Sequence, residues 1–188
     1  MKTVMRMNGF MTKNELRSVM RVRNRQLSPE ERIAAAERIF AAVEMLPAFG
    51  RARCVACFCA LPDEPPTEAV LRRWSAVRRI VVPRVEGDAM QFYDYRPSAL
   101  TSGAFGIAEP VVEDCPVCPP EAIDLMLVPG MAFTREGARL GRGKGFYDRY
   151  MAQPELQAFR VGVCFAHQLV ETLPTEPHDC AIDAVCFG

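Results

Sequence analysis

Residues 124–150 read Asp-Leu-Met-Leu-Val-Pro-Gly-Met-Ala-Phe-Thr-Arg-Glu-Gly-Ala-Arg-Leu-Gly-Arg-Gly-Lys-Gly-Phe-Tyr-Asp-Arg-Tyr. The apolar run 125–128, closed by Pro129-Gly130, has the pattern of a buried strand, and a helix is expected over 145–151. A strand, a glycine-rich loop and a helix in that order form half of an α/β unit. The same alternation continues on both sides. Strands are expected at 54–59, at 80–82 (stopped by Pro83), at 90–95 after the turn Glu86-Gly87-Asp88, at 161–165 and at 184–187. Thr12-Lys13-Asn14-Glu15 and Ser28-Pro29-Glu30-Glu31 are capping boxes that open two helices. The second presents Ile33, Ala36, Phe40 and Val43 at helical spacing and ends before Pro47. Thr67 can cap a further short helix carrying Leu71 and Trp74, and residues 96–120 read as loop. Strands separated by helices predict an α/β fold with a mostly parallel sheet flanked by helices, in a single domain spanning 1–188. Residues 1–11, with four methionines, are a tip that can be disordered.

In open α/β sheets ligands bind beyond the carboxyl ends of the strands. The loop there holds Gly137, Gly141, Gly143 and Gly145, with Arg139, Arg142 and Lys144 between them. Glycines let backbone amides approach phosphate oxygens; arginine offers a planar fork and lysine a mobile charge. Asp148, one turn into the helix, is placed to hold Mg2+ beside such phosphates. The loop is not a Walker motif: Ala138 stands where that motif needs glycine, and Gly145 follows the lysine where it needs serine or threonine.

Composition sets the outer bounds. The chain has 188 residues, 23 basic and 23 acidic, so no global field draws it to nucleic acid or membranes. Residues 1–32 hold eight basic side chains against three acidic ones, a local surplus of five that suits an anion or a solvated helix face. No apolar stretch reaches the roughly 18 residues of a membrane span, and no signal-peptide core opens the chain, so a cytoplasmic protein is expected. The eight cysteines include two CxxC spacings, Cys54/Cys57 and Cys115/Cys118. A four-cysteine zinc site is one reading. Reduced thiols packed as small apolar groups are the other, favoured because i and i+3 on a strand face opposite ways.

Val128-Pro129-Gly130-Met131-Ala132-Phe133, followed by residues 139–150, closely resembles the signature of the 5-formyltetrahydrofolate cyclo-ligases, also called methenyltetrahydrofolate synthetases, and the resemblance extends from Lys13 to about Val185. It implies a Rossmann-like single domain, a monomer, and Mg2+-dependent conversion of 5-formyltetrahydrofolate and ATP to 5,10-methenyltetrahydrofolate, ADP and phosphate. The folate substrate can carry a polyglutamate tail. ATP would be held by Lys13 and Arg17 of the first helix and by Arg139, Gly141, Arg142, Gly143, Lys144, Gly145, Phe146 and Tyr147. Arg142 and Lys144 would neutralise charge during the reaction. Asp148 and Asp179 would hold the metal, with Asp183 a weaker candidate. Glu64, Phe105 and Tyr147 would meet the folate. Phe105 stands where the family often has tryptophan, and Phe146 where tyrosine is common. His167 is assigned no chemistry. The competing possibilities are a non-catalytic nucleotide- or phosphate-binding module of the same fold, and an RNA-associated protein using its basic first helix.

Overall fold

The computed structural model describes residues 11–103 and 106–188. Phe105 and most of the 1–11 tip lie outside the described residues. Helices α1 (Lys13–Gln26) and α2 (Pro29–Glu44) begin at the two capping boxes: Thr12 and Ser28 each accept from the backbone N–H three residues on, and Glu15 and Glu31 return the bond. In α2 the buried face is Ala35, Ala36, Ile39, Phe40 and Val43, whereas Ile33, expected inside, is 55% exposed. A short α3 (Pro47–Arg51), not expected from the sequence, turns the chain into β1 (Cys54–Ala56). The helix α4 (Glu68–Ser75) follows Thr67, but Thr67 does not cap it with its side chain; the buried hydroxyl instead accepts from Ala60 N–H at 3.1 Å and so ties down the loop after β1.

Strands β2 (Arg79–Glu86) and β3 (Ala89–Asp94) form a hairpin about Gly87-Asp88, with Glu86 opposite Ala89. Pro83 does not stop β2. The amide of Val82 faces β3, so Pro83 has its missing N–H on the β1 side, where β1 has already ended opposite Val81. The region read as loop holds three short strands: β4 (Leu100–Ser102) and β5 (Ala108–Pro110), paired with each other, and β6 (Val117–Cys118), paired with β3. Next come β7 (Leu125–Pro129), the small hairpin of β8 (Ala132–Phe133) and β9 (Arg139–Leu140), helix α5 (Phe146–Met151), β10 (Phe159–Cys164) and β11 (Ala184–Phe187).

The main sheet has the order β11-β10-β7-β1-β2-β3-β6; pairs from β11 through β2 are parallel, and β2-β3 and β3-β6 antiparallel. Strand alternation divides the core. Val55, Ile80, Val82, Leu125, Leu127, Val161 and Val163 face α2, α3 and α4, while Cys54, Ala56, Val81, Met126 and Val128 face α5 and the β8–β9 hairpin. Burial of both faces explains why the parallel strands read as unbroken apolar runs.

The four-cysteine zinc reading fails on this geometry. Cys54 and Cys57 lie on opposite faces, and Cys115 packs with Tyr93 and Ala99 in a separate cluster. Cys54 and Cys118 do meet, their sulfurs 3.9 Å apart. All eight thiols are free, and all but Cys180 are buried. Among the described residues no helix is long and apolar enough to cross a membrane.

From β1 the chain moves to β2 on one side and later returns to β7 on the other. The β1/β7 boundary is therefore the topological switch point, where a crevice opens beyond the strand ends. Gly137 sets the hairpin beside it: its φ is +93°, and a Cβ there would lie 2.3 Å from the Ile182 carbonyl oxygen. Gly137→Ala is expected to lower unfolding free energy by roughly 2–4 kcal/mol, combining left-handed strain and overpacking; urea denaturation measures it, and a loss below about 0.5 kcal/mol would contradict the fit.

Candidate active site

Two cavities occupy the switch point. The first, about 560 Å³, is polar and lies between the start of α1 (Lys13, Arg17), the glycine loop (Gly141, Gly143, Gly145), Asp148 and the segment carrying Glu176, His178 and Asp179. The second, about 290 Å³, is mostly apolar, with walls from the loop after β1 (Phe58, Cys59, Leu61, Glu64), from β2–β3 (Pro83, Val85, Met90), from Ile107 and Glu109, and from residues 139–148. Gly141, Gly145 and Asp148 border both.

The loop between them is held by cations on several sides. Arg139, with a side chain only 3% exposed, donates from Nη2 to Asp148 Oδ2 at 2.9 Å and from Nη1 to the Pro129 carbonyl at 3.2 Å. Its guanidinium also stands 5.7 Å from the centre of the Tyr147 ring. Arg139, expected to contact ATP, thus spends its fork on fixing Asp148 and the end of β7. Arg17 donates from Nε to the Gly141 carbonyl at 2.9 Å while lining the polar cavity. Gly143 (φ +101°) and Gly145 (φ +70°) take left-handed conformations that let the loop fold back onto Arg17 and begin α5.

Arg142 faces the apolar cavity. It donates from Nη2 and Nη1 to the two oxygens of Asp63 (2.7 and 3.2 Å) and from Nε to Glu64 Oε1 (2.8 Å). Glu64 Oε2 accepts from Leu61 N–H at 2.9 Å, so both its oxygens are engaged. Burial pushes the Glu64 carboxyl above its ordinary range, against the pull of Arg142. Burial acts the same way on Asp63, but the Arg142 fork overrides it and holds that carboxyl below its usual value. Asp63 was not anticipated as a site residue; its place in a proline loop beside Glu64 was the available signal. Behind it, the fully buried Asn24 of α1 donates to the Asp63 carbonyl (2.9 Å) and meets His167 Nε2 (2.7 Å). His167 lines neither cavity.

Lys144 is exposed at the rim of the apolar cavity, and its ammonium has no ion pair among the described residues. Phe146 and Tyr147 form part of that cavity's wall, with Arg149 stacked 5.2 Å from the Phe146 ring centre. The Tyr147 hydroxyl is buried without a hydrogen-bond partner among the described residues, and burial raises its pKa well above the ordinary value.

Lys13 Nζ reaches Asp179 Oδ2 at 2.7 Å and Glu176 Oε2 at 2.8 Å. Glu176, His178 and Asp179 form the one grouping among the described residues whose ligand atoms converge within 4.8 Å. Among the described residues Asp148 Oδ1 has only a long 3.3 Å contact with Cys180 N–H. Asp148 and Asp179 thus present carboxylate oxygens to the same cavity, a hard-oxygen set that fits Mg2+, which takes one or two carboxylates plus phosphate oxygens and water. Asp183 is turned away, accepting from Arg160 N–H at 2.7 Å, and lines neither cavity.

A mostly parallel α/β sheet thus carries a polar, cation-edged chamber beside an apolar one, with a wall shared between them. The chain belongs to the 5-formyltetrahydrofolate cyclo-ligase family, whose model matches residues 10–188. It is 34% identical to the 5-formyltetrahydrofolate cyclo-ligase of Mycolicibacterium smegmatis, over 93% of this chain and 92% of that one. The Escherichia coli K12 enzyme of the same name is 31% identical over 89% and 95%. The NMR structure of Aquifex aeolicus 5,10-methenyltetrahydrofolate synthetase superposes with a TM-score of 0.84 at 34% identity, covering 94% of this chain and 90% of that one. The Mycoplasma pneumoniae synthetase, at 24% identity and a TM-score of 0.75, shares the fold.

The Asp63–Arg142 pair gives a pH dependence with a definite sign. Asp63 has a depressed folded-state pKa, so its contribution is present above the unfolded value of about 3.9 and disappears as pH falls through the folded value. Wild type should exceed Asp63→Asn in unfolding free energy by roughly 1–2 kcal/mol near neutrality. The gap should begin to narrow as pH falls through about 4 and close only below the lower folded-state value. Urea titrations across pH test this; a gap independent of pH would exclude the ion pair as its source.

Proposed function

We propose that the protein uses ATP and Mg2+ to convert 5-formyltetrahydrofolate into 5,10-methenyltetrahydrofolate, ADP and phosphate. The observation that carries this reading is the shared wall: a cavity suited to a polyphosphate and one suited to a pterin both border Gly141, Gly145 and Asp148.

An N-formyl group is an amide, so attack by the neighbouring N10 would have to expel oxide. Transfer of the γ-phosphoryl group to the formyl oxygen turns that oxygen into a phosphate leaving group. N10 then bonds to the formyl carbon, loses its proton, and the C–O bond to phosphate breaks as the ring closes. Such a sequence needs positioning and charge neutralisation more than covalent help from the protein. Arg17 holds the loop through Gly141 while Lys13 edges the polyphosphate chamber. Lys144, free at the rim, is placed to meet the phosphoryl group as it moves between chambers, and Arg142 supplies positive charge beside Glu64. Glu64 lines the apolar chamber, where it would meet the reacting edge of the folate, and Tyr147 would offer a hydroxyl that has no partner among the described residues. Asp148 and Asp179 would hold Mg2+, which when bound supplies charge neutralisation for the phosphate oxygens.

Protein mixed with 5-formyltetrahydrofolate, ATP and Mg2+ should develop methenyltetrahydrofolate absorbance. Omitting ATP, or adding a chelator in excess of the metal, should stop it, and fresh Mg2+ should restore it. A product that forms equally without ATP would refute the proposal. Lys144→Ala should lower kcat/KM for ATP on the order of a hundredfold. Its unfolding free energy should stay within about 0.5 kcal/mol of wild type. Equal losses of activity and stability would make the lysine structural.

A further inference from the structure

Glu109, on β5, is 4% exposed and forms part of the wall of the apolar cavity. Among the described residues its carboxyl group has no hydrogen bond and no ion pair, unlike Glu64, whose two oxygens are both engaged. Arg84 of β2, which reaches β5, is turned elsewhere: it donates from Nη1 to the Pro110 carbonyl (2.8 Å) and from Nε to Glu86 (3.1 Å). The fold also makes room for this carboxyl. A Cβ on Gly103 would fall 2.2 Å from Glu109 Cδ and 2.3 Å from Oε2, so the chain across the β4–β5 hairpin has no side chain at that point. The carboxyl opens onto the cavity, where the walls are mostly apolar, so a ligand that brings donors is the partner it lacks.

We infer that Glu109 is a specificity residue that accepts two parallel N–H bonds from a cyclic acylguanidine, the 2-amino and N3–H edge of the folate's pterin ring. This rests on the proposed function and names the part of the substrate that the apolar cavity reads. The donor geometry is the same fork with which arginine meets a carboxylate, and two charge-assisted bonds orient a flat ring that the apolar walls alone would leave free to flip. Ligands with the ring but without the fork lose the contact. Glu64 is thereby left to the other, reacting edge.

The test is direct binding, measured by calorimetry, of 5-formyltetrahydrofolate and of its 2-desamino-2-methyl analogue to wild type, Glu109→Gln and Glu109→Ala. Wild type should prefer the natural ligand roughly tenfold to a hundredfold. Glu109→Ala should lose that preference, with the natural ligand weakened by the loss of two bonds and the analogue, which keeps only N3–H, weakened less, and Glu109→Gln should fall between. ATP affinity should be unchanged in both variants. The melting temperature of the free protein should hold in Glu109→Gln, since the carboxyl makes no hydrogen bond or ion pair among the described residues; a purely structural glutamate would lower it. Discrimination by Glu109→Ala equal to that of wild type would overturn the inference while leaving the reaction standing. The expected binding pattern without ATP-dependent product in the absorbance assay would overturn the reaction while leaving the contact standing.

Discussion

The pairing of Arg139 with Asp148 is the contact on which the rest of the site depends. A guanidinium buried to this degree must be matched or it destabilises the fold, and here one arginine is matched by an acid of α5, a carbonyl at the end of β7 and the face of Tyr147. Those partners come from two elements, β7 and α5, so the arginine fixes where the glycine loop leaves the sheet and where it rejoins the helix. Truncating either partner would leave an unpaired charge in the wall that both cavities share.

Around that fixed point, cations are distributed by depth. Arg139 is interior and structural, Arg17 and Lys13 line the polar chamber, Arg142 bridges to the loop after β1, and Lys144 stands exposed at the rim. The sequence places all but Lys13 and Arg17 within a few residues, yet each meets a different environment. The cause is backbone geometry: left-handed Gly143 and Gly145 reverse the chain direction between neighbouring side chains. A basic loop thereby becomes several single-purpose charges instead of one diffuse patch.

What could be read from the residues alone follows the range of the interactions. The capping boxes at Thr12 and Ser28 are local and appear as expected. The parallel strands are legible because burial on both faces leaves continuous apolar runs. Pro83 misleads because its consequence depends on where β1 ends, a fact held 27 residues earlier in the chain at Ala56. The β4–β5 hairpin escapes because short strands between prolines and glycines have the composition of loops. Glycine spacing marks the phosphate-suited loop, but the Arg142–Asp63–Glu64 cluster joins residues nearly 80 positions apart, with separations of 79 and 78, and no local pattern encodes it. Glu109 is legible in retrospect only as an acid inside an apolar motif.

The distribution of thiols has a practical side. Seven cysteines are buried; burial raises Cys59 to about 12 and Cys186 to about 11, and pushes Cys57 and Cys164 up as well, so alkylating reagents find little thiolate there. Cys180 is the partly accessible one, its amide 3.3 Å from Asp148 Oδ1 and its sulfur 3.4 Å from the Asp148 carbonyl. Cys180 is thus the single partly exposed thiol, with burial and the neighbouring Asp148 pushing it up as well, and it sits against the acid that borders both chambers. A small fluorophore or fluorinated tag placed there would report occupancy of the crevice without any engineered cysteine.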